Sequence, residues 1–411
     1  MDSAVPPRVA KLAEQVREFV RDVVIPVEVQ VAGVMHDASD EVRRSLQKQA
    51  KDAGLLAPHV AEEWGGCGLD VRGQAVVFEE AGYSLLGPLA LNCAAPDEGN
   101  MHLLHVVATN EQKEKYLRPL AAGEIRSCFA MTEPAPGAGS DPSMLSTTAS
   151  KVDGGWRIDG RKWFISGARG AGFAICMART SGQPGDRGGA TMFFVDSDNP
   201  GMRVVRDIDT LDQGLFSGHS EVVFEGCLVG PDAILGEVDQ GFAYAQVRLA
   251  PARLTHCMRW LGLARRAHEI AVDWAATRRS FGGLLGDLGM VQQLVADSEI
   301  DMAASRALIR QTAAVLDEGG RGGTESSIAK TFVAEAVNRV VDRAVQICGG
   351  LGISGDVLLS RYLREVRPFR IYDGPSEVHR WAIGRRAIGR RRREIAAGAT
   401  PRWAVTKDGS S

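Results

Sequence analysis

Apolar residues recur at intervals of three and four in the first third of the chain, the spacing typical of helices with one buried face. The first such run covers residues 9–23, and a second covers residues 42–50. Two more runs, at residues 76–81 and 103–107, keep the same period. This part of the chain is therefore predicted to be helical.

From about residue 128 to residue 236 the pattern changes to short β-favouring runs separated by glycine-rich turns. Strands are predicted at residues 156–158, 174–178, 190–195 and 221–224. Asp153, Gly154 and Gly155 predict a hairpin turn between two runs, because Asp and Gly tolerate the positive φ that such turns need. Residues 214–218 predict another loop.

The helical period returns after residue 241 and continues almost to the end of the chain. Thr324 follows two glycines and is predicted to cap a long helix that stops at Gly349 and Gly350. The changes of pattern predict a helical domain at residues 1–125, a β-domain at 126–238 and a second helical domain at 239–396. Residues 397–411 predict a flexible tail.

Composition narrows the possible functions. The 411 residues carry 48 basic and 51 acidic side chains, so no positive excess is available for nucleic acid or an anionic membrane. Residues 1–10 lack the apolar core of a signal peptide and no run is long enough for a membrane span, which predicts a soluble, cytoplasmic protein. The seven cysteines are at least 26 positions apart, as expected of reduced, mostly buried thiols. His102 and His105 have no third ligand nearby in sequence, so no metal site is predicted.

Two motifs border or lie within the predicted β-domain. The segment FAMTEP begins at Phe129 and is followed by GSD at Gly139, which alone would indicate a glycine-rich turn stopped by a proline. The segment KWFISG begins at Lys162, and an aromatic strand of this kind usually belongs to a buried core. Neither motif identifies a function when it is taken alone.

Two further motif regions lie in the second helical domain. RRSFG begins at Arg278 and could bind phosphate through its arginines or simply be a solvated helix end. QICGGLG begins at Gln346, and its glycines would permit the backbone to approach a ligand closely. RIYDGPSEVHR begins at Arg370 and places Asp373 on a tight turn. Alone, YDGPS would be a type I turn with a surface Asp.

Together, these motifs in this order resemble the acyl-CoA dehydrogenase family over nearly the whole chain. The resemblance implies an α+β fold with an N-terminal helical domain, a central β-barrel or sandwich domain and a C-terminal four-helix bundle. It also implies one FAD per subunit, in the groove between the β-domain and the C-terminal helices. The motif DGPSEVH is similar to the corresponding motif in the branch that contains acyl-CoA dehydrogenase family members 10 and 11.

The resemblance also implies which residues bind FAD. Thr132 would bind the N1/O2 edge of the flavin, Phe164 would pack against the ring, and the hydroxyl of Ser166 would reach N5. Residues 135–138 make the first loop about two residues longer than the common family form. The full set of expected cofactor contacts is Phe129, Met131, Thr132, Gly139, Ser140, Phe164, Ile165, Ser166, Arg278, Ser280, Phe281, Gln346, Gly349, Gly350, Pro375, Ser376 and Glu377.

Asp373 stands where most relatives carry a glutamate base, and the resemblance assigns it removal of the α-proton while hydride passes to flavin N5. Burial is expected to raise the pKa of its carboxyl group and so make it a stronger base. Some relatives place the base just before an arginine matched here by Arg253. That neighbour is Ala252 in this chain, which leaves Asp373 as the candidate.

The product expected from an acyl-CoA thioester is a 2-enoyl-CoA, with Ser140, Arg253, Gly374 and Arg385 as substrate contacts. The resemblance further implies a homodimer or homotetramer in which the Arg278 segment reaches FAD held by a neighbouring subunit, and electron-transfer flavoprotein as the electron acceptor. Two alternatives stay open: a flavin oxidase or monooxygenase on the same fold, similar to nitroalkane oxidases, and a non-catalytic scaffold.

Overall fold

The N-terminal region is helical, as its apolar period predicts. The computed structural model describes residues 5–31, 39–212 and 218–403. Short π-helical turns at Val20–Val24 and Lys113–Leu117 join some of the α-helices. The α-helices of this region are α1 Pro7–Phe19, α2 Ile25–Gln30, α3 Ser39–Asp52, α4 Val71–Ala81, α5 Gly87–Ala90, α6 Asp97–Val107, α7 Asn110–Gln112 and α8 Arg118–Ala121.

The middle of the chain forms one mixed eight-stranded sheet in the order β6-β7-β3-β2-β4-β5-β8, with β1 paired to β4. β1 and β2 run parallel to β4, and the other pairs are antiparallel. The strands are β1 Ser127–Ala130, β2 Thr148–Val152, β3 Gly155–Ser166, β4 Phe173–Arg179, β5 Ala190–Asp196, β6 Met202–Ile208, β7 His219–Val229 and β8 Ile234–Leu235.

The sheet is open among the described residues, so the closed-barrel form of the expected β-domain is wrong. Its two halves meet where β2 joins β4 through the single pair Thr148 and Arg179, and the end strands β6 and β8 do not pair with each other. The hairpin predicted at Asp153 is confirmed, with Gly154 at φ 80° between β2 and β3. Of the loop predicted at residues 214–218, residues 214–217 lie outside the described ranges.

The C-terminal region is again helical and packs around α11. This helix contacts α9, α10, α13 and α14, whereas α4 from the N-terminal region packs across α9 and α10. The elements are α9 Gly241–Thr277, β9 Arg279–Ser280, β10 Gly283–Leu284, α10 Gly289–Asp317, α11 Gly323–Cys348, α12 Gly350–Ile353, α13 Leu359–Val366 and α14 Ser376–Ala396. The fold class of helices, sheet and helices is therefore confirmed.

Helices α4 and α9 cross in direct backbone contact. A Cβ added at Gly82 would lie 2.0 Å from the carbonyl oxygen of Arg259, and one added at Gly262 would lie 2.1 Å from that of Glu79. Only glycine fits at both crossing points, because any side chain would push the helices apart. The crossing sets the distance between the N-terminal helices and the face of α9 that carries the candidate site.

Two helix-end predictions had different outcomes. The cap predicted at Thr324 is wrong, because the helix begins at Gly323 and its N-cap is Gly322 at φ 58°, with no side-chain cap. The predicted end at Gly349 is confirmed, since that residue turns to φ 57° after Cys348. Within the described ranges, no helix combines the length and apolar character that crossing a membrane requires.

Candidate active site

A cleft opens between the N-terminal helices, the sheet and α9. Among the residues predicted for the site, Ser166 lines this cleft. His256 and Trp260 line its opposite side on α9. The cleft therefore brings the end of β3 close to the face of α9 that adjoins Asp373.

Asp373 and Gly374 form a tight turn before α14, with both residues at positive φ, 54° and 96°. The carbonyl oxygen of Asp373 accepts hydrogen bonds from Nε of Arg253 at 2.9 Å and from Nε2 of His379 at 3.1 Å. Nζ of Lys330 donates to the carbonyl oxygen of Gly374 at 2.7 Å. Three donors from α9, α11 and α14 thus hold the turn in one conformation.

Position 374 has no room for a side chain. A Cβ at this position would lie 2.7 Å from Nε2 of His379, which is the atom that donates to the turn. At φ 96° any L-residue is strained as well. The glycine therefore lets His379 approach the backbone of the turn closely.

The carboxylate of Asp373 faces α9, and its side chain is 20% exposed. Oδ2 lies 3.4 Å from Nε2 of His256, whose ring packs 4.9 Å from that of Tyr372 between centroids. Trp260 donates from Nε1 to the hydroxyl of Tyr372 and fixes this aromatic wall. The side chain thus points into a largely enclosed aromatic and basic environment.

The predicted rise in the pKa of Asp373 is wrong. Burial does raise the pKa, but nearby positive charge outweighs it and the net pKa lies below the ordinary value. The opposing contributions come from His256, Arg248, Arg253 and Lys330. Because burial also lowers the pKa of His256 to about 3, its imidazole is neutral at pH 7. The positive field at neutral pH therefore comes from the two arginines and the lysine.

Arg248 lies on α9 and contacts the first strand of the sheet. Its guanidinium lies 4.2 Å from the ring centroid of Phe129, a cation–π distance, and Nε donates to Oδ1 of Asn100 at 2.7 Å. Arg248 is buried, and its charge is one of those that lower the pKa of Asp373. Arg248 thus contacts Phe129 and also contributes to the charge around Asp373, although no motif included it.

The two motifs of the β-domain are held together by a buried ion pair. Nζ of Lys162 lies 2.9 Å from Oε1 of Glu133, both side chains are 0% exposed, and Nζ also donates to the carbonyl oxygen of Met131. Burial raises the pKa of Glu133, but Lys162 and hydrogen bonds from Ser146 and Thr147 lower it to about 2. The pair anchors the loop around Thr132 to β3.

A β-bulge displaces Phe164 outward from β3. Lys162 pairs with Val222 and Ile165 with Ser220, so two residues of β3 face one residue of β7. Phe164 has φ 52° and is 44% exposed, which is unusual for a large aromatic residue. The bulge presents its ring at the surface.

The chemistry of these residues fits a flavin. The N–H of Trp163 donates to the carbonyl oxygen of Thr132 at 3.0 Å, so the two hydroxyl-bearing motifs lie side by side. An exposed aromatic ring and the hydroxyls of Thr132 and Ser166 provide stacking surface and polar contacts for a planar, hydrogen-bonding ring. Met131 and Thr132 are half-buried, Ile165 is buried, and Gly139 and Ser140 are exposed.

The Arg278 motif lies away from the cleft. Arg279 to Leu284 form a small hairpin with Phe281 and Gly282 at its tip, both at positive φ, and Phe281 is 92% exposed. Arg278 immediately precedes the hairpin and is exposed. Gln346, Gly349 and Gly350, at the end of α11, are exposed as well. None of these residues lines the cleft. Pro375 is half-buried, Ser376 is buried and Glu377 is exposed at the start of α14.

Arg385 lies in a basic groove on α14. Trp381 also lines the groove, and the guanidinium of Arg385 lies 5.1 Å from the centroid of its ring. Such a groove suits an anionic ligand. Its arginines are Arg187, Arg380, Arg385, Arg386, Arg392 and Arg393.

Sequence reasoning did not find Arg248 or Lys330. Arg248 lies five positions before Arg253 on α9, a spacing that puts the two side chains on different helix faces, so the helical period does not reveal it. Lys330 carries no such signal, since a lysine in a helix is normally solvated. Within the described ranges, no group of three His, Cys, Asp or Glu residues could hold a metal ion.

Family models for the N-terminal, middle and C-terminal domains of acyl-CoA dehydrogenases match residues 7–124, 128–227 and 239–388. The chain is 37% identical over 374 residues to "Probable acyl-CoA dehydrogenase FadE2" of Mycobacterium tuberculosis, covering 90% of this chain and 91% of that protein. It is 35% identical to acyl-CoA dehydrogenase family member 11 of Gallus gallus over 90% of this chain. The match spans 49% of that longer relative.

Solved structures agree with these matches. Butyryl-CoA dehydrogenase from Megasphaera elsdenii superposes with a TM-score of 0.84 at 26% identity, covering 94% of this chain and 100% of that one. A glutaryl-CoA dehydrogenase in complex with glutaryl-CoA has a TM-score of 0.84 at 27% identity, covering 95% and 97%. The arrangement of helices and sheet is thus shared with these proteins over nearly their whole lengths.

Proposed function

Because the chain belongs to the acyl-CoA dehydrogenase family, we propose that it converts an acyl-CoA thioester to a 2-enoyl-CoA with Asp373 as the base. Members of this family are oxidoreductases that act on CH–CH bonds, and membership implies a flavin cofactor. The observation that carries the proposal is the largely enclosed carboxylate of Asp373, on a turn that three hydrogen-bond donors hold in place.

Asp373 would accept the α-proton of the thioester on its carboxylate. The lowered pKa keeps it deprotonated at neutral pH, so the base is ready when substrate arrives. A low pKa also makes the carboxylate a weak base, so the α-proton itself must become more acidic. We propose that the backbone N–H of Asp373, with a ribityl hydroxyl of the cofactor, polarises the thioester carbonyl.

The cofactor proposed is FAD, which when bound supplies the acceptor at N5 for the hydride that leaves the β-carbon. Thr132, Phe164 and Ser166 would hold its ring, supported by the Glu133–Lys162 ion pair that joins their two segments. The bulge that exposes Phe164 supports this assignment, since it turns an aromatic ring away from the core of the sheet.

The Arg278 segment supports a shared site in an oligomer. Phe281 is 92% exposed at the hairpin tip, and Met290 at the start of α10 is 78% exposed. Exposed apolar residues of this size favour burial against another protein surface. We propose that Arg278, Ser280 and Phe281 reach the FAD of a neighbouring subunit in a dimer or tetramer.

The basic groove around Arg385 supports binding of the CoA nucleotide. Its arginines would pair with phosphate oxygens through charge-assisted hydrogen bonds. Ser140 and Gly374 would then contact the rest of the thioester, whereas Arg253 would act through the carbonyl oxygen of Asp373 to which it donates. Electron-transfer flavoprotein is the proposed acceptor of the electrons.

An anaerobic titration of the FAD-loaded protein with a panel of acyl-CoA thioesters tests this function. Loss of the oxidised-flavin absorbance on adding one or more thioesters supports a dehydrogenase. Rapid reoxidation of the dithionite-reduced protein by air, with no bleaching by any acyl-CoA, would instead indicate the flavin oxidase or monooxygenase. A protein that takes up no FAD would indicate a non-catalytic scaffold.

A further inference from the structure

Ser166, the last residue of β3, begins a chain of hydrogen bonds along the cleft wall. Its Oγ lies 2.8 Å from Nδ1 of His219, the first residue of β7. Nε2 of the same imidazole lies 3.0 Å from Oδ2 of Asp212. All three residues line the cleft, and the side chains of His219 and Asp212 are only 19% and 14% exposed.

The direction of each hydrogen bond follows from the acceptor at the far end. Burial raises the pKa of Asp212, but hydrogen bonds from His219 and Thr210 contribute to a net pKa below the ordinary value, so the carboxyl is ionised and can only accept. Nε2 of His219 must therefore carry the proton that is donated to Asp212. In the neutral imidazole, Nδ1 is then an acceptor, and Ser166 must donate its hydroxyl proton to it.

This arrangement commits the one proton of the Ser166 hydroxyl to His219. The lone pairs of Oγ remain available, so toward the cleft the hydroxyl can accept a hydrogen bond but cannot donate one. A hydroxyl of fixed polarity distinguishes a ligand N–H from a bare ring nitrogen. The N5 position of a flavin is a bare nitrogen in the oxidised ring and an N–H in the fully reduced ring.

We propose that Asp212 and His219 are positioning residues that fix Ser166 as a hydrogen-bond acceptor and thereby favour the reduced form of the bound flavin. Without His219, the Ser166 hydroxyl could rotate and donate to the oxidised ring equally well. The inference rests on the proposed function for the presence of the flavin. It concerns two residues that belong to none of the four sequence motifs.

The test is the midpoint potential of the bound flavin, measured by reduction with dithionite against a reference dye in the absence of acyl-CoA. The titration is run at about pH 8.5, above the ordinary pKa of histidine. His219→Phe should lower the potential by about 30 mV, which for a two-electron couple is a tenfold loss of preference for the reduced form. Asp212→Asn should shift the potential in the same direction and serves as a second variant if His219→Phe does not bind flavin.

Two controls separate positioning from a general electrostatic effect. Asp207 on neighbouring β6 binds Ser220 at 2.8 Å rather than the Ser166 chain, so Asp207→Asn should leave the potential at its wild-type value. Ser166→Thr keeps the hydroxyl and should also match wild type. In a Ser166→Ala background, His219→Phe should cause no further change, because the hydroxyl on which it acts is gone.

An unchanged potential in both His219→Phe and Asp212→Asn would overturn the inference. An equal shift from His219→Phe with and without the Ser166 hydroxyl would do so as well, since His219 would then act directly. Ser, His and Asp in this order also resemble a hydrolytic triad, so covalent labelling of Ser166 by a fluorophosphonate would overturn the assignment. Because no acyl-CoA is used, these results are independent of whether a thioester bleaches the flavin.

Discussion

Nε2 of His256 lies 3.4 Å from Oδ2 of Asp373, and the histidine ring packs against the rings of Tyr372 and Phe369. Burial keeps this imidazole neutral at pH 7, so it can donate a hydrogen bond without adding charge. Arg253 on α9 and Lys330 on α11 donate hydrogen bonds to the backbone of the turn, and their charges favour the ionised form of the carboxylate. The carboxylate of Asp373 is therefore expected to be ionised at neutral pH.

Lys330→Met should move the acid limb of the kcat/KM profile to higher pH. A base with a depressed pKa is active above that pKa and loses activity as the pH falls through it. Burial lowers the pKa of Lys330 to about 8, so at neutral pH its charge is one of those that depress the pKa of Asp373. The measurement is kcat/KM against pH, with Lys151→Met as an exposed control that leaves the limb in place.

The height of the Lys330→Met profile should also fall, since the variant loses the hydrogen bond to the carbonyl oxygen of Gly374. The position of the limb is the decisive quantity. A limb at the wild-type pH would show that Lys330 only supports the turn.

The sequence predicted the order of helices, strands and helices from local patterns, whereas the candidate base followed from the family resemblance of one motif. Apolar spacing revealed the helices, and the motif around Asp373 is contiguous. The family resemblance is confirmed by the three domain matches. The role of Asp373 stays a prediction.

The hydrogen bonds of Arg253 and Lys330 to the Asp373 turn could not be predicted, because these residues lie 120 and 44 positions from their acceptors in the chain. Arg253, Lys330 and His379 meet only when α9, α11 and α14 pack together. The pKa of Asp373 was predicted in the wrong direction for the same reason. Burial of the carboxyl group could be expected from its motif, but the positive charges of Arg248, Arg253 and Lys330 could not. The open sheet was missed because strand pairing across β2 and β4 depends on a single long-range pair.

Lys162→Met should destabilise the protein by about 3 to 5 kcal/mol, the usual cost of leaving one partner of a buried ion pair unpaired. The substitution would leave the carboxylate of Glu133 without its ion-pair partner, at a site where both side chains are 0% exposed in the wild type. Chemical denaturation measures the change in unfolding free energy. Lys48→Met is the matched control, since its pair with Asp52 is exposed and should contribute less than about 1 kcal/mol.

Equal unfolding free energies for these two lysine variants would contradict the role given to the buried pair. FAD affinity of the Lys162→Met protein should fall as well, because the Thr132 loop loses its anchor to β3.

Gly374→Ala should lower kcat/KM by about 100-fold, the scale expected when a reacting group is displaced by about 1 Å. The new Cβ would lie 2.7 Å from Nε2 of His379 and force the turn to shift. Gly355→Ala is the control, since a Cβ there meets no atom within 4 Å. Steady-state kinetics with circular dichroism would check both variants, and near wild-type activity in Gly374→Ala would refute the close-contact argument.

Arg385→Ala should raise KM for acyl-CoA by about tenfold, corresponding to one lost charge-assisted hydrogen bond. KM for the matching acyl-pantetheine, which lacks the nucleotide, should not change. Arg391→Ala is a suitable control because Arg391 pairs with Glu394 at 3.0 Å and does not line the groove. Equal effects on both thioesters would show that the groove does not bind the nucleotide.

The central claim is that the carboxylate of Asp373 takes the α-proton, and Asp373→Asn tests it most directly. The variant should keep its FAD and still bind acyl-CoA, because the backbone contacts of the turn remain. Anaerobic bleaching of the flavin by an acyl-CoA that reduces the wild type should slow by about 1,000-fold or more. Asp342→Asn, an exposed change on α11, should bleach at the wild-type rate. Bleaching of Asp373→Asn at that same rate would contradict the account.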